Sequence, residues 1–168
     1  MGNDNVNPVY YSWFASPVGC LLLAGSSAGL RLVSFAAGKR ARRVDPEWQL
    51  DNSAFLEVVD QLQSYFAGER TNFDLPLLLE GTDFQKKVWT ALQEIPYGRT
   101  ISYKKLAEIV GSPKGVRAVG AANGANPIPI IIPCHRVIGH DGSLTGFGGG
   151  LPLKKQLLEL ESHQRKLI

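Results

Sequence analysis

The sequence predicts two units of different class. Residues 1–78 read as an α/β domain, and residues 79–168 as a mainly α domain carrying a helix-turn-helix of winged-helix-like type. Three observations carry this division. Short apolar runs of strand character fill the first 35 residues, and three- and four-residue periodicity takes over afterwards. Charge divides the same way. Residues 1–83 hold six Lys/Arg and ten Asp/Glu, a net of −4, whereas residues 84–168 hold twelve and five, a net of +7. Six basic residues and one acid, Glu108, lie from Arg99 to Arg136. A basic second half is the footprint of a polyanion-binding surface, or else ordinary solvated charge.

The elements follow in order. "VYYSWFAS", "GCLLLAGS" and "LRLVSF" are three strands, separated at Pro17-Val18-Gly19 and at Ala28-Gly29. "AAGKRARRVDPEWQL" is a polar connection with no chemistry evident in it. From Asn52, Phe55, Leu56, Val59, Leu62 and Phe66 recur at helical spacing, and Gly68 ends the helix. The boundary falls near residues 77–81. Thr82 followed by Gln85 is a capping-box pattern, and Phe84, Val88, Ala91 and Leu92 make one helix face. "IPYGR" is a turn. Ser102 caps "YKKLAEIV", with Gly111 as the residue past its end. Ser112-Pro113 is expected to start the next helix, proline being tolerated at a first position. That helix, "KGVRAVGAANG", is nearly bare: apart from Val116 and Val119 it offers small residues, with Lys114 and Arg117 as its charges. Glycine in a helix costs about 1 kcal/mol relative to alanine, so a close approach is implied, by a nucleic-acid groove or by a neighbouring helix. After Asn126-Pro127 comes "IPIII", then Cys134. "RVI" reads as a strand and Asp141-Gly142 as its turn. "SLTGFGGG" is a glycine loop, and Pro152 opens a last helix with Leu153, Leu157 and Leu160 inward.

Composition excludes several classes. At 44% hydrophobic and 20% charged the chain is globular. No apolar run approaches the roughly 20 residues of a membrane helix. "MGNDNVNPVYY" has neither a basic nor an apolar leader region, so a cytoplasmic protein is expected. Two cysteines, Cys20 and Cys134, make a weak case for a disulfide. With no C-x-x-C, no finger-like histidine spacing, no dinucleotide fingerprint and no phosphate loop, neither a structural zinc nor a cofactor is expected.

Cys134, between Pro133 and His135, fits a nucleophilic thiolate, a metal ligand or an inert core residue. A free thiol is mostly protonated at neutral pH and needs a base or a positive charge to act. His135 and Arg136 supply both types of neighbour. Adjacent residues in a strand point to opposite faces. A Cys134–His135 contact therefore needs a turn or a relaying water. A carboxylate behind the histidine would fix its tautomer, and Glu161 is a candidate.

Taken together, "GTDFQKKVWTALQEIPYGRTISYKKLAEIVGSPKGVRAVGAANGANPIPIIIPCHRVIG" and "DGSLTGFGGGLPLKKQLLELE" resemble the O6-alkylguanine-DNA alkyltransferases, with "PCHRV" the most specific part. The N-terminal half matches loosely. The resemblance implies a ribonuclease-H-like N-terminal domain. It also implies transfer of the alkyl group of O6-alkylguanine, and of O4-alkylthymine, from double-stranded DNA to Cys134, without cofactor, by a monomer. In that scheme His135 takes the thiol proton through a water, Glu161 holds His135, and Asn126 is the hinge that joins the recognition helix to the active-site strand. Arg117 enters the duplex where the damaged base leaves, flanked by Lys114, Ala118 and Ala121. Tyr103 meets the flipped base or its phosphate, the main chain at Cys134 and Val137 reads the base's exocyclic amine, the backbone amide of Gly148 meets the alkylated oxygen, and Phe147 is an apolar wall. Relatives often carry tyrosine where Phe147 stands, so a hydroxyl is lost. A damage sensor without transfer, a helix-turn-helix regulator and a cysteine hydrolase are the competing readings. The first lacks an acceptor cysteine, the second has no use for "PCHRV", and the third requires turnover.

Overall fold

The computed structural model describes residues 7–165. Its N-terminal unit is an antiparallel meander of β1 (Tyr10–Ser16), β2 (Gly19–Ser26) and β3 (Gly29–Phe35), with a helix, α1 (Leu56–Phe66), after it. A two-residue strand, β4 (Gln49–Leu50), pairs parallel with β1, so the sheet order is β3-β2-β1-β4. This strand arises inside the connection read from sequence as merely polar. The sequence offers two residues too few to show a period there. On the opposite edge, Leu30 exchanges backbone hydrogen bonds with Pro76 and Leu78 at 2.9 and 2.8 Å, tying the linker to β3.

α1 is the clearest departure from the periodicity. Leu56 is 68% exposed, while Gln61 and Tyr65 are buried with Leu62. Their polar atoms are satisfied, which removes the cost of burying them. Gln61 exchanges two hydrogen bonds with the Asp74 backbone, at 2.8 and 2.9 Å, and Tyr65 reaches the second domain as described below.

The C-terminal unit begins with α2 (Asp83–Gln93), whose capping box is complete: Thr82 Oγ1 accepts from Gln85 N at 3.1 Å and Gln85 Oε1 accepts from Thr82 N at 3.0 Å. Val88, Trp89 and Leu92 are its buried residues. β5 (Ile101–Ser102) pairs parallel with β6 (Val137–Ile138) and leads into α3 (Tyr103–Ile109), capped by Ser102. Gly111, at φ 74°, takes the left-handed turn that a side chain would strain. α4 (Val116–Gly124) completes the helix-turn-helix, and α5 (Leu151–Arg165) closes the chain.

α4 starts later than the Ser112-Pro113 signal implies. The Gly115 amide donates to the Ser112 carbonyl at 2.8 Å, which spends residues 112–115 on a separate turn. Its bareness also has a partly internal cause. Val119, Ala122 and Asn123 are buried, Trp89 Nε1 donates to the Ala122 carbonyl at 2.9 Å, and Gly120 faces the Tyr103 ring. The other side of α4 is open: Arg117, Ala118 and Ala121 are exposed and share one face, and exposed Lys114 lies on the turn just before the helix.

Candidate active site

The segment after α4 is built by one side chain. Asn126 Nδ2 donates to the Ile132 carbonyl at 2.7 Å and its Oδ1 accepts from Ile128 N at 3.0 Å. "PIPIII" is thereby a closed loop and not a strand, with buried Ile130 at φ 74°. The Val33 amide of β3 donates to the Pro127 carbonyl at 3.0 Å, so the loop hangs on the N-terminal sheet.

The loop delivers Cys134–Arg136 as one 3-10 turn, where the sequence reading has strand from Arg136 onward. All three side chains are buried, His135 completely. Three residues per turn set successive side chains about a third of a circle apart. This supplies the turn that a strand would have denied.

Glu161 of α5 organises what lies beneath. Its Oε1 is 2.7 Å from His135 Nε2 and accepts from Tyr65 OH at 2.7 Å and Arg136 Nη2 at 3.0 Å. Its Oε2 accepts from Arg136 Nε at 3.0 Å and from the Gly98 amide at 3.3 Å. Arg136 also donates to the Ile95 carbonyl at 2.6 Å and lies 5.6 Å from the centre of the Tyr97 ring. Burial alone would raise the Glu161 carboxyl, but the hydrogen bonds and charges of His135 and Arg136 outweigh it and bring the group down to about 2. Burial lowers His135, so the ring is neutral at neutral pH despite the carboxylate beside it.

The tautomer follows. A carboxylate is acceptor-only, so the neutral imidazole places its one proton on Nε2, toward Glu161. Nδ1 is left as the bare, basic nitrogen. It is buried and meets no hydrogen-bond partner among the described residues. Burial pushes the Cys134 thiol up to about 11, against the opposing pull of the Asn126 amide and of the Lys154 and Arg40 charges. The thiol is therefore protonated at neutral pH, with an unoccupied base on the next residue.

Cys134 lies in the wall of a cavity of about 480 Å³, together with Asn123, Asn126, Phe147 and Gly148. Phe147 packs on Phe35 of β3 with ring centres 5.6 Å apart. A second cavity, of about 830 Å³, is lined by Tyr103, Arg117, Gly120, Phe147 and Gly148 and so shares the glycine-loop wall. The Tyr103 hydroxyl donates to the Thr145 carbonyl at 2.9 Å. Val137 is fully buried, outside both linings, and its carbonyl accepts from Lys154 at 2.6 Å.

Three participants were not evident from sequence. Lys154 is fully buried, donates to Val137 and Thr145, and is lowered by burial to about 8. Tyr65 and Arg40 come from the unit in which no chemistry was evident. Tyr65 shows itself in sequence only as an aromatic at a helical position, and Arg40 only as one cation in a run. Among the described residues no cluster of His, Cys, Asp and Glu is placed to hold a metal, and no helix is long and apolar enough to cross a membrane.

A small α/β unit packed on a helix-turn-helix domain, with a thiol in a cavity wall and, on the next residue, an imidazole held by a buried carboxylate, is an arrangement suited to cysteine chemistry on DNA. Comparison with known proteins is more specific. The DNA-binding domain of 6-O-methylguanine DNA methyltransferase matches residues 83–163, and the ribonuclease-like domain of the same family matches residues 9–79. The methylated-DNA–protein-cysteine methyltransferase of Methanosarcina acetivorans is 52% identical over 153 residues, 91% of this chain and 98% of that protein. Its counterpart in Mycobacterium tuberculosis is 51% identical over 156 residues, 91% and 92% of the two chains. The crystal structure of Mycobacterium tuberculosis OGT in complex with DNA superposes with a TM-score of 0.87 at 50% identity, covering 92% of this chain and 94% of that one. The chain belongs to the 6-O-methylguanine DNA methyltransferase family.

Proposed function

We propose that this protein repairs DNA by moving the alkyl group of O6-alkylguanine onto its own Cys134, once per molecule and irreversibly. One observation carries the reading: Cys134 opens on a cavity beside the recognition helix while His135, locked by Glu161, turns a bare nitrogen away from that carboxylate. The exposed face of α4, with Arg117, Ala118 and Ala121, and Lys114 on the turn before it, lies against the duplex. Small residues admit close approach, and the cations neutralise phosphates. The alkyl carbon is out of reach inside a stacked duplex, so the nucleotide turns outward, at a cost of a few kcal/mol. Arg117, at the neighbouring cavity, fills the gap and offsets part of that cost.

In the pocket the Cys134 sulfur attacks the alkyl carbon. A carbon–sulfur bond forms, the carbon–O6 bond breaks, and its electron pair stays on the guanine oxygen. The thiol proton passes through a water to His135 Nδ1, and Glu161 stabilises the imidazolium that results. Asn126 holds the loop that sets Cys134 in place. Phe147 and Gly148 wall the alkyl group, and the Tyr103 hydroxyl exchanges Thr145 for the base. The product thioether is no leaving group, and no second thiol is at hand to restore it. A cytoplasmic, monomeric protein fits this reading, since the reaction requires a reduced Cys134.

The test is stoichiometry. Excess methylated duplex should add one methyl group per molecule, on the peptide containing Cys134, and then stop. Turnover beyond one equivalent would point to a hydrolase; binding without any mass gain, to a damage sensor.

A further inference from the structure

The N-terminal unit is acidic overall, yet its cations are gathered in one place. Of the six Lys/Arg in residues 1–83, four fall within five residues: Lys39, Arg40, Arg42 and Arg43. All four are exposed. The segment leaves β3 after Phe35 and crosses to the C-terminal domain. There Arg40 donates to the Gly124 carbonyl at the end of α4, the pole of a helix that favours a cation. The stem of Arg40 lies on Gly148, where an added Cβ would stand 3.4 Å from Arg40 Cβ and Cδ. The segment is closed by the Ala41 amide on the Gly38 carbonyl at 3.2 Å and anchored by the Arg42 amide on Ser34 Oγ at 2.8 Å.

So fixed, the segment borders both cavities. Lys39 and Arg42 line the one that holds Cys134, and Lys39 also lines the one that holds Arg117 and Tyr103. Among the described residues, no carboxylate lines either. Among the described residues, no ion pair involves Lys39, Arg42 or Arg43. A nucleotide drawn into the Cys134 cavity stays bonded to two phosphates, and these remain at the mouth. Lys39 and Arg42, held at that mouth by a clamp on the recognition helix, match that charge, and exposed Arg43 follows them directly in the chain.

We propose that residues 38–43 form a second DNA-binding element, in which Lys39, Arg42 and Arg43 bind the backbone phosphates flanking the extruded nucleotide and Arg40 holds the segment in register. The inference rests on the DNA-repair reading above. It gives the N-terminal domain a direct share in binding a flipped nucleotide, beyond the contacts of the helix-turn-helix.

Binding to a duplex with one O6-methylguanine, and to the same duplex unmodified, is measured against salt concentration in a Cys134→Ser background, so that no transfer occurs. Each phosphate contact contributes about 0.9 to the slope of log K against log salt. Combined Lys39→Gln, Arg42→Gln and Arg43→Gln should lower the slope on the alkylated duplex by about 2, and much less on the unmodified one. Lys39→Gln alone should lower it by about 1, which keeps the test open if the triple variant folds poorly. Lys39→Arg with Arg42→Lys and Arg43→Lys should keep the parent slope. An unchanged slope on the alkylated duplex, or equal falls on both duplexes, would overturn the proposal. Failure of the protein with Cys134 intact to take up one methyl group from the alkylated duplex would instead undo the repair reading, which separates the two failures.

Discussion

The surroundings of Glu161 and the open face of α4 obey opposite rules. Around Glu161 the carboxylate is buried and fully paired: it takes hydrogen bonds from Tyr65, Gly98, His135 and Arg136, drawn from three separate stretches of chain. On α4, Arg117, Ala118 and Ala121 are exposed, small or charged. A buried charge without partners is costly, so the first region must be completed by the protein itself. The second is completed by its ligand. Substitutions beneath the site should therefore strike chemistry and stability together, and substitutions on the helix face should strike only the reaction with duplex DNA.

Replacing the sulfur tests the extreme case. Cys134→Ser should abolish transfer while leaving duplex binding nearly intact, because a hydroxyl is a far weaker nucleophile at neutral pH. Exposed Cys20 is the control, and Cys20→Ser should change neither. Methyl transfer at the parent rate in Cys134→Ser would show that the acceptor lies elsewhere.

Glu161→Gln should cost about 3–5 kcal/mol of stability as well as most of the activity, since it strips the charge that Arg136 and His135 are paired with. Its pH dependence has a definite sign. The folded carboxyl sits at about 2 against an ordinary 4.5. Its contribution is therefore complete above 4.5 and fades as pH falls toward 2. Denaturant unfolding of parent and variant from pH 6 downward should show the gap closing in that window. A gap independent of pH would mean that the carboxylate charge is not what stabilises the cluster.

Arg117→Ala belongs to the other region. It should slow repair in duplex DNA by about tenfold or more, a loss of a little over 1 kcal/mol, and hardly affect reaction with the free modified base, which needs no extrusion. Equal losses on both substrates, or a lowered melting temperature, would move Arg117 into the structural class.

Tyr65→Phe should be the milder of the two changes beneath the site. It removes one of several donors to Glu161 and leaves the ring's packing in place. A hydrogen bond to a charged group contributes about 1.5–3 kcal/mol, and the lower end applies where other donors remain. Chemical denaturation reads this directly. A variant as stable as the parent would mean that the link between the domains at Tyr65 is incidental to the carboxylate.

Local chemistry marks most of these residues before any fold is known. Thr82 and Gln85, Ser102 and Gly111 announce helix ends because caps satisfy backbone groups a few residues away. β1 shows because a half-buried strand writes its period into the chain, and β2 and β3, buried almost throughout, show as continuous apolar runs. The helix-turn-helix and "PCHRV" carry the family resemblance, and with it Cys134 and the exposed residues of α4. What the sequence could not supply were the partners that meet only across the fold. Leu56 looks like core and is exposed, whereas Tyr65 and Lys154 are buried because each reaches an acceptor distant in sequence. Arg40 is one cation among four until β3 carries it to the end of α4. Periodicity and capping are settled within a turn or two of chain, so the sequence by itself determined most of the elements and pointed to Cys134 as the candidate acceptor. The bare nitrogen of His135, the saturation of Glu161 and the shared wall of the two cavities depend on groups up to about a hundred residues apart, and only tertiary packing decides which of them meet.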